Sequence, residues 1–342
     1  MTDRPAQAKL PPPLAMMQLL FGKQLTYSLS GVARLGIADH MDGTPRPVEE
    51  IAGKAGAHAP SLYRVMRMLA GFGVFREGPP RHFALTPIGE LLRTDAPGSL
   101  RAMAMMFGEE FSTRAYEHIA ACLRTGTDGV GKAYGKHIWE VLAERPGQCE
   151  TFQNAMTNST AVAAQAIVEA YDFSAIKRLA DIGGGHGLLL ASIMRAYPNM
   201  QGVLFDRPEV VASVPKAQFA GCEGRIAVEA GSFFERVPEG CDAYLMKHII
   251  HDWSDEHCRT ILTLMREKLQ PHGRVLLCEL VVTGEPGPTP AKMLDIEMLV
   301  MTVGGRERTE EEFAALFAAS GLRLSRIVPT GRPIAVIEAV PA

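Results

Sequence analysis

An α/β fold of the nucleotide-binding type, preceded by a helical region, is the architecture this sequence predicts. Three observations carry it. Leu179-Ala180-Asp181-Ile182 reads as a short strand, Gly183-Gly184-Gly185-His186-Gly187 as a tight turn, and Leu188 to Ala196 as a helix. Strand, glycine turn and helix open such folds, where backbone approaches a ligand at a helix N-terminus. From Arg178 onward strand-like and helix-like segments alternate, which implies a mainly parallel sheet with helices on both faces. Asp206 follows Asp181 by 25 positions, where these folds place an acid that accepts hydrogen bonds from a ribose diol. A dinucleotide fingerprint from Gly183 would need a glycine at 188, and that position is Leu188. By itself the glycine run could be no more than a crowded corner.

Composition bounds the rest. The 342 residues suffice for two domains. A net charge of −3 argues against a general nucleic-acid binder, which is normally basic. Six cysteines (Cys122, Cys149, Cys222, Cys241, Cys258, Cys278) are scattered without a CxxC pair. They read as reduced cytosolic thiols, not as a disulfide frame or zinc knuckle. Met1 to Pro13 is polar and proline-rich, unlike a signal peptide. No apolar run approaches the roughly 20 residues of a membrane span. A cytoplasmic protein is the expectation.

Taken in order, Leu14 to Ala38 has helical apolar spacing and Val48 to Gly56 is a short helix. Pro60 to Gly71 places Leu62, Val65, Met66 and Leu69 on one helical face. Gly73-Val74-Phe75, a Gly78-Pro79-Pro80 turn and His82 to Leu85 form a small hairpin. Two short helices and a hairpin suggest a winged helix over residues 1–100. A DNA reader would use Arg64 and Arg67, yet two arginines cover a phosphate backbone poorly, and Met66, Met68 and Leu69 leave little polar face. A protein–protein module used for dimerisation is the favoured reading. Residues 101–175 read as a helical linker, with helices over Ala102–Phe107, His137–Leu142 and Phe152–Met156. Spacing alone makes Met103, Met106 and Met156 core residues.

Residues 176–342 form the α/β domain. Strands are expected at Arg178–Ile182, Gly202–Phe205, Ile226–Glu229, Ala243–Met246, Arg274–Leu280, Leu322–Val328 and Ile334–Ala339. Helices are expected at Gly187–Tyr197, Pro208–Ser213, Asp255–Leu269 and Thr309–Ser320, the last with a Thr309/Glu312 capping box and Gly321 behind it. Ligands of such sheets bind beyond the carboxyl ends of the strands. Asp181, Asp206, Ser232, Lys247, His248, His251, Asp252 and Glu279 gather on that rim. Exposed strand ends explain any one of them. They explain Glu279 poorly, because it lies inside the apolar run Val275 to Val282. An acid-lined rim without a P-loop favours a nucleoside bearing a positive centre, such as S-adenosylmethionine, over ATP or a 2′-phosphate.

The chain resembles the S-adenosylmethionine-dependent small-molecule O-methyltransferases, which include caffeate and acetylserotonin enzymes and bacterial natural-product tailoring enzymes. The motifs are Leu179–Gly187 (LADIGGGHG), Phe205–Pro208 (FDRP), Lys247–Asp255 (KHIIHDWSD), Glu279 in Leu277-Cys278-Glu279, and Gly304–Thr309 (GGRERT). The resemblance covers nearly the whole chain. It implies a class I methyltransferase (Rossmann-like) domain and an N-terminal dimerisation domain that makes a homodimer and helps close the partner's site. It assigns His251 as catalytic base, flanked by Glu279 and Glu307, which lie 28 positions after His251 and 28 after Glu279. Asp181, Gly183, Gly185, Asp206, Arg207 and Lys247 match the cofactor site, with Thr160 where the family often has a serine. Phe152, Met156, Met298 and Thr302 match the acceptor pocket. One departure is Gly231-Ser232-Phe233-Phe234, where the family has an acid at the position of Ser232. Ser232 offers a neutral, shorter contact to an adenine amine, and Phe233 a partner for the adenine face.

The chemistry implied is deprotonation of a phenol, of pKa about 10, by an imidazole of pKa about 6.5 as the phenol attacks a sulfonium methyl group. Glu279 or Glu307 would accept a hydrogen bond from the second nitrogen of His251. The leaving thioether is neutral, so no metal is required. His248, His251, Asp252 and His257 could suggest one, but a third ligand with sensible spacing is not evident. Asp252 could cap the following segment, Trp253 reads as packing, and Glu307 as partly structural. Two other functions remain open: a drifted relative performing N-methylation or hydroxylation, and a winged-helix regulator sensing the cofactor.

Overall fold

The computed structural model describes residues 11–342; the reading of Met1 to Pro13 lies, as far as Leu10, outside them. The chain divides into two compact units, Met1–Glu110 with Glu150–Ala155, and Phe111–Cys149 with Met156–Ala342.

The first unit contains α1 (Pro12–Leu20), α2 (Gly22–Arg34), α3 (Val48–Ala55), α4 (Ala59–Gly71), α5 (Pro87–Glu90) and α6 (Arg101–Met106). Leu14–Ala38 is not one helix. It breaks at Phe21 and ends at Arg34, ahead of Gly36 at φ 62°. Strands β1 (Arg46–Pro47), β2 (Phe75–Glu77) and β3 (His82–Leu85) pair in the order β1-β3-β2, so the expected hairpin gains a strand too short to show a period. The apolar stripe of α4 is buried at Leu62, Met66 and Leu69, with Val65 half-buried. Leu14, Met16, Leu19, Leu20 and Phe21 are exposed.

Past it come α7 (Glu110–Tyr116), α8 (Ile119–Thr125), α9 (Gly129–Tyr134), α10 (Ile138–Ala143) and the long α11 (Pro146–Ala170). Met106 is buried, but Met103 and Met156 are only half-buried, so the core assignment fails for those two. Helical spacing marks a face without saying how closely a neighbour covers it.

The second unit is built on β4 (Arg178–Ile182), β5 (Gln201–Asp206), β6 (Ile226–Ala230), β7 (Cys241–Lys247), β8 (Leu269–Leu280), β9 (Leu322–Pro329) and β10 (Ile334–Pro341). They order as β6-β5-β4-β7-β8-β10-β9. The first five are mutually parallel, and β10 lies antiparallel between β8 and β9. Helices α12 (Leu188–Ala196), α13 (Pro208–Ala212), α14 (Asp255–Lys268), α15 (Pro290–Met301) and α16 (Glu310–Ala318) complete it. The central strands are apolar on both faces, so two cores form. One holds Tyr244, Met246, Leu277 and Phe313; the other holds Leu179, Leu190, Leu245 and Leu276. Thr309 and Glu312 close the expected capping box on α16.

Because β4, β5, β7 and β8 run parallel, their carboxyl ends share one rim. Asp181, Asp206, Lys247 and Glu279 are carried there.

Candidate active site

The glycine loop leaves β4 with Gly183 at φ 67°. A Cβ there would lie 2.8 Å from Ile249 Cδ1 and 3.6 Å from Phe233 Cε1, so the loop, the β6 exit and the turn after β7 close on one point. Gly185 N donates to Asp206 Oδ2 at 2.8 Å, and Arg207 N to Asp206 Oδ1 at 2.7 Å. Two backbone amides therefore hold this carboxylate beside the loop. Burial raises its pKa, and those bonds oppose the rise. Asp181 is buried beneath Gly184, whose Cβ would lie 2.7 Å from Asp181 Cγ. Burial pushes its pKa up to about 7 against the pull of Lys247. Burial lowers Lys247, with Glu279 and Asp181 among the opposing charges.

The Ser232 hydroxyl accepts from Phe234 N at 3.3 Å. The Phe233 ring meets Trp253 edge-on at 6.1 Å. Arg207 pairs with Glu209 at 3.2 Å and lies 6.0 Å over the Trp139 ring. The Thr160 hydroxyl donates to Met156 O within α11, leaving its lone pairs.

At the end of β7 the chain turns through His248, Ile249 and a short 3-10 segment, Ile250–Asp252, that carries His251. Glu279 is fully buried, and its Oε1 accepts from Ile249 N at 3.1 Å and Ile250 N at 3.0 Å. Its Oε2 lies 3.3 Å from His248 Nδ1 and 3.8 Å from His251 Nδ1. Glu307 Oε1 is 2.6 Å from His251 Nδ1. Of the two acids weighed from sequence, Glu307 thus makes the hydrogen bond to the ring, and Glu279 anchors the turn. Their positions follow from the sheet. A single parallel bridge pairs Val281 with Arg308, and Val282 N donates to Arg308 O at 2.9 Å, which lays Glu307 beside the end of β8. Asp295 Oδ1 on α15 accepts from Glu307 N at 2.9 Å.

His251 is 7 % exposed. Burial acts to lower its pKa, but Glu279, Asp252 and Glu307 outweigh it and hold the pKa at about 9. Burial raises the Glu307 carboxyl against the pull of His251. Burial would also raise Glu279, yet the two histidines and the amide of Ile249 keep it well below the usual carboxylate range. The arrangement can take a proton on Nε2 while Glu307 holds the proton on Nδ1.

Several expectations need correction. Asp252 caps nothing: the N-cap of α14 is Ser254, which accepts from His257 N, and Asp252 Oδ1 instead stands 3.5 Å from His251 Nε2. A third group does join the histidines, since ligand atoms of His248, His251 and Glu279 lie within 4.8 Å of one another. Nδ1 of each histidine and both Glu279 oxygens already make the contacts above, which a metal ion bound through those atoms would have to displace. Sequence reasoning missed Arg308. It is 1 % exposed, and its donors reach Ile250 O at 3.2 Å, Trp253 O at 3.1 Å and Asp255 Oδ1 at 2.7 Å. A buried guanidinium is tolerable only when so paired. It ties the segment that carries Glu307 to the His251 turn and to the start of α14. The available signal was a second arginine inside GGRERT.

Of the acceptor-pocket residues, Met298 and Thr302 are buried on and after α15. A Cβ on Gly305 would lie 2.2 Å from Thr302 Oγ1 and 2.5 Å from His251 O, so Thr302 adjoins the His251 turn. Met156 and Phe152 lie half-buried on α11.

Sheet order, glycine loop and ribose-type acid together define a class I methyltransferase domain. A family model for an O-methyltransferase domain matches residues 116–323, and one for an O-methyltransferase dimerisation domain matches residues 17–95. The chain is 40% identical to a phenazine O-methyltransferase of Lysobacter antibioticus, with 100% of both chains covered. It is 34% identical to an 8-amino-8-demethylriboflavin N,N-dimethyltransferase of Streptomyces davaonensis, covering 92% of this chain and 91% of that one. Human N-acetylserotonin methyltransferase, solved with S-adenosylmethionine, superposes with a TM-score of 0.87 at 25% identity, covering 98% and 99%. The chain belongs to the S-adenosylmethionine-dependent O-methyltransferase family.

Proposed function

We propose that this enzyme methylates a phenolic hydroxyl of a small, largely apolar aromatic molecule, with His251 as general base. The observation that carries the reading is the His251–Glu307 hydrogen bond of 2.6 Å on the rim that also holds Asp206. The residues fit the cofactor. The Asp206 carboxylate, held by two amides, suits a ribose diol, and the glycine loop lets backbone approach closely. Gly183, Gly185 and Asp206 would hold the nucleoside, Phe233 and Ser232 the base, and Thr160, Asp181, Arg207 and Lys247 would border it. S-Adenosyl-L-methionine, bound there, supplies an electrophilic methyl group. His251 Nε2 takes the phenol proton, while Glu307 fixes the tautomer and stabilises the imidazolium. Met298, Thr302 and Met156 would line the acceptor side, and an apolar, methionine-rich wall adapts to aromatic rings. General-base assistance of this kind contributes about 10²–10⁴-fold.

The exposed apolar residues of α1 and Phe21, within a chain that carries a dimerisation domain, support a homodimer formed through residues 1–100, with 101–175 as linker and 176–342 as catalytic domain. Among the described residues no helix is long and apolar enough to cross a membrane; we place the enzyme in the cytoplasm. The N,N-dimethylating relative makes N-methylation the second reading, although an aromatic amine has little need of the His251–Glu307 pair. The test incubates the protein with labelled S-adenosyl-L-methionine and a panel of hydroxylated aromatics, hydroxyphenazines first, beside matched arylamines. Labelled methyl ether and S-adenosyl-L-homocysteine should form, and His251→Ala should lower turnover at least about 100-fold with cofactor affinity nearly intact. Wild-type turnover in that variant removes the base assignment.

A further inference from the structure

We propose that His248 is a positioning residue: by binding Glu279 and stacking on His251, it holds the base in the orientation that proton transfer requires. The inference rests on the reading of His251 as base and concerns a residue that reading leaves without a role.

Four observations meet at His248. Its backbone N makes the last ladder bond of the strand, to Cys278 O at 3.2 Å, and the chain then turns away. That turn needs φ 52°, a left-handed conformation that non-glycine residues seldom adopt and that persists when the surroundings over-determine it. Its Nδ1 lies 3.3 Å from Glu279 Oε2. Its ring lies over that of His251, centroids 5.0 Å apart and planes 23° from parallel.

The charged and titratable groups that act on it are Lys247 on its own strand, Glu279 from β8, and His251 from the turn. Burial, with Lys247, draws the His248 pKa down to about 4, so near neutral pH its ring is uncharged and can donate Nδ1–H to Glu279. Glu279 then receives three donors from consecutive residues, His248, Ile249 and Ile250. A carboxylate so engaged is a fixed post. Glu279 Oε2 stands 3.8 Å from His251 Nδ1, and the His248 donor occupies it, so that oxygen does not compete with Glu307 for the ring proton while the stacked His248 ring covers one face of the base.

The test uses His248→Gly, which accepts the left-handed backbone and removes the ring. His248→Asn also tolerates that backbone but keeps a short N–H donor for Glu279. With the full-length protein, labelled cofactor and a hydroxyphenazine, the glycine variant should lose about 10- to 100-fold in kcat, the range a misplaced catalytic group costs. Its KM for the cofactor should stay within about twofold. The acid limb of kcat/KM should move to higher pH, because Glu279 without its donor acts more strongly on the His251 imidazolium. Asparagine should recover most of the loss. A glycine variant with wild-type kcat and acid limb, or an asparagine variant no better than glycine, overturns the proposal. If His251→Ala itself turns over normally, the base reading fails instead, so the two failures are distinguishable.

Discussion

Replacing Glu307 by glutamine keeps the shape beside His251 and removes the charge. Glu307 Oε1 lies 2.6 Å from Nδ1, while Glu307 Oε2 is buried with no hydrogen-bond partner. Glutamine has two ways to sit there. With its carbonyl on Nδ1–H it keeps the productive tautomer, but its amide N–H groups then enter the space where Oε2 found nothing, a buried unsatisfied donor that costs about 1–3 kcal/mol. Turned over, it donates to Nδ1 and forces the ring proton onto Nε2, the nitrogen that must accept. In both cases the imidazolium formed during transfer loses its nearest counter-charge. A hydrogen bond to a charged group contributes about 1.5–3 kcal/mol, equivalent to about 10- to 100-fold in kcat. The same energy should lower the His251 pKa from about 9 by about 1–2 units. The assay is kcat and kcat/KM from pH 6 to 10 with labelled cofactor, alongside calorimetric cofactor affinity (pH range about that of the His251 titration). Slower turnover with an acid limb displaced to lower pH is expected. A variant with wild-type kcat and an unmoved limb would refute the role given to Glu307.

Two further outcomes follow from the site. Because His251 must be neutral to accept a proton and its pKa stands at about 9, the free wild-type enzyme is mostly protonated at neutral pH. Its kcat/KM should rise about tenfold per pH unit through neutrality and level off near that pKa, and a profile already flat at neutral pH contradicts the assignment. Asp206→Ala removes both the ribose acceptor and the partner of Gly185 N. Cofactor Kd should rise about 10- to 100-fold by calorimetry, the worth of a charge-assisted hydrogen bond, with a change under about twofold counting against the nucleoside site.

Much of this was legible in the sequence, for identifiable reasons. Strands β4, β5, β7 and the later part of β8 are apolar runs bounded by turns, and the expected strands overlap all seven of β4 to β10, with larger differences at the start of β8. The Thr309/Glu312 box marks the start of α16 directly. Helices α7, α8 and α9 are six or seven residues long, too short to display a period, so the sequence marks their region as helical without delimiting them. The pattern marks only Phe152–Met156 of the 25-residue α11, whose second half is rich in alanine and so lacks a contrasting face. The equal 28-residue spacings gave no preference between Glu279 and Glu307. That choice depends on the parallel ladder and the Val281–Arg308 bridge, which are contacts between distant segments. His248 reads as a solvated strand end until its backbone dihedral and its stacked neighbour are seen.

The chain has two indole side chains. Trp139 sits under the guanidinium of Arg207, the residue after the ribose-type acid, and Trp253 is stacked 5.6 Å from the His137 ring and edge-on to Phe233. All of the protein's intrinsic tryptophan emission therefore originates around one end of one sheet. Arrival of a charged sulfonium or a flat chromophore at that end can be followed optically in the unlabelled protein, without waiting for a single turnover.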